Sequence, residues 1–309
     1  MLPAELVTIR DWLRFAVTQF NRAQLAYGHG TDDAVDEAAF LILAALKLPI
    51  DDVNPWLEAR LTREERISVA RLIEQRVVTR KPAAYLLGEA WLGSYRFHVD
   101  ERVIVPRSFI AELMLADVEA FAIEAEAVSK VLDLCTGSGC LAILAAHVFE
   151  TAVVDAVELD AGAIEVARRN VAEYRLEDRV RLHQGDLFTP LSPGRYDLII
   201  ANPPYVTDAS LAAFPPEHRA EPPLAHAGGA DGLDIVRQIL VEAGNWLSPD
   251  GRLIMEVGAG RRAVEAAFPG VAFTWLDTQN SRGEVLLVAA AQLAGPVKPK
   301  ASRKARRPA

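Results

Sequence analysis

Seven short β-rich runs separated by helical runs constrain this chain more than any other feature of its sequence. They fall at residues 131–134, 153–158, 180–183, 196–201, 253–257, 272–276 and 285–289. Strands alternating with helices need right-handed crossovers, which build a parallel sheet covered on both faces. Ligands of such sheets lie beyond the carboxyl ends of the strands, so those ends are the places to search.

The N-terminal third reads differently. Leu6, Ile9, Leu13, Ala16, Val17 and Phe20 recur at helical spacing, and residues 32–48 and 62–79 repeat that period. Thr62-Arg63-Glu64-Glu65 is a capping box that starts a helix. Residues 1–94 are therefore expected to form a helical docking domain. Tyr95, Phe97 and Val99, then Val103 and Val105, alternate around Asp100-Glu101-Arg102, which predicts a hairpin linker over 95–109. A sheet domain over 110–291 and a basic, disordered tail over 292–309 complete the expected organisation.

Composition narrows the class. Hydrophobic residues make up 51% of 309, yet no apolar run approaches the roughly 18 residues that span a bilayer. The start, Met1-Leu2-Pro3-Ala4-Glu5-Leu6, lacks a signal-peptide pattern, and the two cysteines offer no disulfide framework. A cytoplasmic protein without membrane contact is expected. Net charge is −9, but Lys298, Lys300, Arg303, Lys304, Arg306 and Arg307 crowd the tail. The remainder keeps 27 of the 33 basic residues against 42 acidic ones, a net −15. Such a body repels nucleic-acid phosphates and suits a basic partner, while the tail could touch RNA.

The first strand of the sheet ends in a glycine turn. Asp133-Leu134-Cys135-Thr136-Gly137-Ser138-Gly139 leads straight into the helical Cys140-Leu141-Ala142, so backbone N–H groups at the helix start can meet a ligand. Glu158 closes the second strand, where an acid can hold ribose hydroxyls. No Gly-Lys-Ser/Thr follows, which excludes a phosphate loop. Two adenosine-bearing cofactors compete at this turn: a nicotinamide dinucleotide and S-adenosyl-L-methionine. Asp133 favours the second, because a carboxylate suits an ammonium group and opposes a pyrophosphate. Asp186 and Leu187, after the third strand, could hold and wall an adenine.

The fourth strand stops at Asn202-Pro203-Pro204-Tyr205. Two prolines fix the turn and leave the Pro203 carbonyl outside the sheet, beside the Asn202 side-chain acceptor and the Tyr205 ring. Two rigid acceptors can take both hydrogens of a planar NH2 group, which frees a delocalised nitrogen lone pair for attack on a methyl donor. Hydride transfer has no use for this turn. Elsewhere Cys135 and Cys140 lack histidine neighbours, so no metal site is expected, and no Gly-x-Ser-x-Gly elbow supports hydrolysis. His218 and His226 follow the turn and could line a peptide groove.

With both strand ends in view, the chain resembles the HemK family of S-adenosyl-L-methionine-dependent methyltransferases, which modify glutamine side-chain amides in translation proteins. The resemblance implies a class I α/β fold, a Rossmann-like, mostly parallel sheet, behind a helical N-terminal domain that recognises substrate. It implies that Asp133, Cys135, Thr136, Gly137, Ser138, Gly139, Glu158, Asp186, Leu187 and Asn202 bind cofactor. Asn202, Pro203, Pro204 and Tyr205 would hold the glutamine, with Asn202, Pro203 and Tyr205 catalytic. Val105-Pro106-Arg107-Ser108-Phe109, with 229–234 and the acids around Arg219, is similar to the branch acting on ribosomal protein uL3, whose RNA binding implies a basic partner. Release factors and DNA adenine are the alternative substrates, the latter opposed by the acidic body. Oligomeric state is not legible.

Overall fold

The computed structural model describes residues 5–295 and Pro299. Its chain divides into two compact units: Met1–Arg107 with Phe214–Pro222, and Ser108–Ala213 with Pro223–Ala309. A nine-residue segment after the 202–205 turn thus belongs to the helical unit.

In the first unit α1 (Ile9–Ala23), α2 (Ala34–Ala45), α3 (Arg63–Thr79) and α4 (Ala83–Leu87) gather around Trp12, Phe20, Leu41, Ile42 and Val69, all fully buried. Capping sets the starts. Thr62 and Glu65 form the expected reciprocal box, Thr8 and Asp11 form another, and Asp33 caps α2. At the centre Arg76, with a fully buried side chain, donates to both Glu37 oxygens at 3.0 Å. That bidentate geometry is what makes burying two charges tolerable.

The hairpin is displaced from its expected place. β1 (Glu89–Leu92) pairs antiparallel with β2 (Tyr95–His98) across Gly93-Ser94, whereas 103–105 form no strand. Asp100 explains the difference. Its carboxylate receives the Arg102 backbone N–H and its guanidinium, which locks a local turn and holds the Asp100 acid down at about 2. Val103 and Val105 are buried as loop residues, the former accepting from the Tyr85 hydroxyl at its carbonyl. Their alternation reported burial, not pairing.

The second unit is a seven-stranded sheet with helices between its strands. After α5 (Phe109–Ala116) come β3 (Lys130–Leu134), α6 (Cys140–Val148), β4 (Val153–Glu158), α7 (Ala161–Glu173), β5 (Val180–Gln184) and β6 (Tyr196–Ala201). α8 (Asp208–Ala212), α9 (Asp234–Trp246), β7 (Leu247–Glu256), α10 (Arg261–Ala267), β8 (Thr274–Asp277) and β9 (Arg282–Ala289) follow. The strand order is β5-β4-β3-β6-β7-β9-β8. All seven expected strands are present, but β9 runs antiparallel to both β7 and β8. A short connection, unlike a helix, can only return the chain antiparallel. The expected tail starts inside a 3-10 turn, Ala290–Leu293, and its basic residues lie outside the described residues. Among the described residues no helix is long and apolar enough to cross a membrane.

Candidate active site

Register lines up the strand ends. Leu134 pairs with Val157 on one side and Ala201 on the other, Glu158 pairs with Gln184, and Ala201 pairs with Met255. The loop carrying Asp186, the strand-terminal Glu158 and Glu256, and the 135–139 and 202–205 turns therefore lie in one row along the sheet edge. The order of strands reverses between β3 and β6, the switch point at which open α/β sheets take their ligands.

At the β3 end Asp133 is fully buried. One oxygen accepts from the Thr136 hydroxyl; the other, Oδ1, has no hydrogen-bond partner. Burial, opposed by the Thr136 bond, pushes this carboxyl up to about 7. A buried acceptor left unsatisfied beside a glycine turn fits a donor such as an ammonium group. The turn itself needs left-handed backbone: Cys135 lies at φ 60, Gly137 at 56 and Gly139 at 79. A Cβ on Gly137 would meet nothing within 4 Å, whereas on Gly139 it would press Ala167 at 3.2 Å. One glycine opens space above the turn and the other seats α6 on α7. Glu158 reaches back to the Gly137 N–H at 2.9 Å and holds Asp160 N at 3.0 Å, one bond per carboxylate oxygen. Leu187 is buried at φ 46 and Asp186 is exposed. Burial raises both thiols, Cys140 to about 12, so neither is a thiolate nucleophile at neutral pH.

At the β6 end Pro203 is buried, with Asn202 and Tyr205 half-buried. Glycines crowd the tyrosine. A Cβ on Gly258 would come within 2.6 Å of its ring, one on Gly228 within 2.8 Å of its Cα, and one on Gly232 within 2.4 Å of its carbonyl oxygen. The 228–234 stretch thus packs against the turn. Val206 exchanges backbone bonds with His226 and Gly228 at 2.9 Å each. Glu256, which belongs to no sequence motif, receives the Tyr205 hydroxyl at 2.9 Å. Its signal was an acid ending the apolar Leu253-Ile254-Met255 run at a strand's carboxyl end.

The segment after the turn is tied into the helical unit by ion pairs. Glu217 pairs with Arg80 at 2.7 Å, and Glu221 takes Arg107 through both oxygens at 2.6 Å, all within the helical unit. His218 lies against His29 with ring centroids 4.3 Å apart. Glu217 and Glu221 are buried in the helical unit, with the half-buried His218 between them in the chain.

A glycine turn under an unsatisfied carboxylate, at the switch point of this sheet and next to a rigid double-proline turn, defines a class I methyltransferase. The family model described as methyltransferase small domain matches residues 112–214. The ribosomal protein uL3 glutamine methyltransferase of Bradyrhizobium diazoefficiens is 55% identical, covering 94% of this chain and 92% of its own. Its counterpart in Bordetella pertussis is 54% identical over 94% and 97%, and that of Burkholderia pseudomallei 51% over 94% and 97%. The chain belongs to this family of uL3 glutamine methyltransferases.

Proposed function

We propose that the protein transfers a methyl group from S-adenosyl-L-methionine to a glutamine side-chain nitrogen of ribosomal protein uL3. One observation carries the reading: the orphaned, buried Oδ1 of Asp133 opens beside a rigid turn with two amide acceptors, on adjacent strands in register. The cofactor, when bound, supplies an electrophilic methyl. Asp133 would hold its ammonium group, the 135–139 turn and Glu158 its sugar, and Asp186 with Leu187 its adenine.

The Asn202 side-chain oxygen and the Pro203 carbonyl accept the two N–H hydrogens of the glutamine amide. Holding both weakens the conjugation that makes an amide nitrogen a poor nucleophile and fixes its exposed face. Tyr205, braced by Gly258 and by Glu256, walls the amide plane. No strong general base is needed, since the nitrogen sheds its proton readily once alkylated. The helical unit, residues 1–94 at its core, recognises the protein substrate. Incubating the purified protein and cofactor with purified uL3, then weighing the intact product, tests this reading. One added methylene on a glutamine is expected. Modification of a release factor with uL3 unchanged would reassign the substrate.

A further inference from the structure

Five of the six residues that α7 buries are apolar; the sixth is Asn170, 1% exposed. Asparagine is a poor helix former and a costly group to bury, so its place there calls for a reason. Its Nδ2 donates out of the helix to the Ser138 carbonyl at 2.9 Å, 32 positions away in the chain. We propose that Asn170 is a positioning residue for the cofactor, fixing the glycine turn and, through Thr136, the aim of the unsatisfied Asp133 oxygen. This role rests on the cofactor reading above and assigns part of the affinity to a residue outside the turn.

The peptide unit joining Ser138 to Gly139 is held at both ends. Its carbonyl receives Asn170, and its N–H donates to the Thr136 carbonyl at 2.9 Å. Thr136 in turn gives its N–H to the Val157 carbonyl at 3.0 Å and its hydroxyl to Asp133. A chain of bonded groups thus runs from α7 to the carboxylate whose other oxygen is orphaned. Ala167, one helical turn before Asn170, closes on Gly139, so one face of α7 fixes the turn by contact and by hydrogen bond.

The consequence of losing that donor follows from helix geometry. The first turn of α6 begins with the Ile143 N–H donating to the Gly139 carbonyl at 2.9 Å. One residue back, a released Ser138 carbonyl stands in helical register with the Ala142 N–H. Turning toward it winds Ser138 into α6, pulls the Gly139 N–H off Thr136 and closes the space that Gly137 leaves open. An apolar side chain at 170 would fill the helix interface as well, yet it would leave the carbonyl unheld. Cofactor binding would then include the cost of re-forming the turn, and affinity falls by that amount.

The test compares two full-length variants with wild type. Asn170→Asp keeps the side chain's shape and replaces its donor with an acceptor, whereas Val171→Ala trims the next residue, 3% exposed, and touches no bond of the turn. Each protein is titrated calorimetrically with S-adenosyl-L-homocysteine, melted, and followed by amide exchange over residues 136–142 without ligand. Asn170→Asp is expected to bind about tenfold more weakly and to exchange faster in that stretch. Val171→Ala should melt earlier yet keep wild-type affinity. Unchanged affinity or exchange in Asn170→Asp, or equal weakening in both variants, would overturn the role. Should Asn170→Asp fail to fold, Asn170→Ala, which also lacks the donor, is judged by the same outcomes. Wild type that does not bind S-adenosyl-L-homocysteine would overturn the cofactor reading itself, whereas binding by wild type with no loss in the variant overturns this role alone.

Discussion

The Tyr205 hydroxyl donates to Glu256 Oε1 at 2.9 Å, while Glu256 Oε2 receives the Ser108 hydroxyl at 2.8 Å and the Phe109 N–H at 3.0 Å. One buried carboxylate therefore ties the turn after β6 to the first turn of α5. Glu256→Gln must point an NH2 group at one of these donors. It is expected to lose about 1–3 kcal/mol of stability, read by urea unfolding, and to lower kcat because Tyr205 loses its brace. Unchanged kcat would show that the ring is held by the glycines alone.

Asp133 makes stability depend on pH in a definite direction. Its acid is raised from 3.8 to about 7 by burial, so its contribution is full below the lower value and is lost as pH rises through the upper one. Asp133→Asn removes this titration. The cofactor-free variant should be more stable than wild type at pH 8, by at most about 4 kcal/mol, with no difference in acid. Calorimetric titration should show the variant binding cofactor far more weakly. Parallel stability profiles for the two proteins would refute this.

Asn202→Ala removes one of the two amide acceptors and leaves the proline turn in place. Turnover should fall by roughly 10²–10³, measured by methyl incorporation into uL3, with thermal unfolding little changed. Wild-type turnover in the variant would sink the acceptor mechanism.

Gly258 and Gly270 form a matched pair. A Cβ at 258 would strike the Tyr205 ring at 2.6 Å on backbone at φ 51, whereas one at 270 would meet nothing within 4 Å. Gly258→Ala is expected to cost about 1–3 kcal/mol and most of the activity; Gly270→Ala should be neutral in both assays.

Much of the sheet was legible because its signals are local. Each strand is a short apolar run, and the Gly137, Gly139 and Asn202-Pro203-Pro204-Tyr205 turns are contiguous. The hairpin was misplaced because Val103 and Val105 carry strand-like alternation while the Asp100–Arg102 bonds settle the backbone otherwise. Glu256 escaped notice since its meaning lies in Tyr205 and Ser108, 51 and 148 positions away. The pairs of Glu221 with Arg107 and of Glu217 with Arg80 were hidden for the same reason.

Those pairs set an order of events during synthesis. Domains commonly fold as they leave the ribosome, N-terminal first. This helical unit lacks Glu217 and Glu221 until over a hundred further residues have been made, so Arg80 and Arg107 wait without their partners while much of the sheet is already available. The segment Phe214–Pro222 acts as a late clasp. The amino-terminal part is the first to be translated and among the last to be completed.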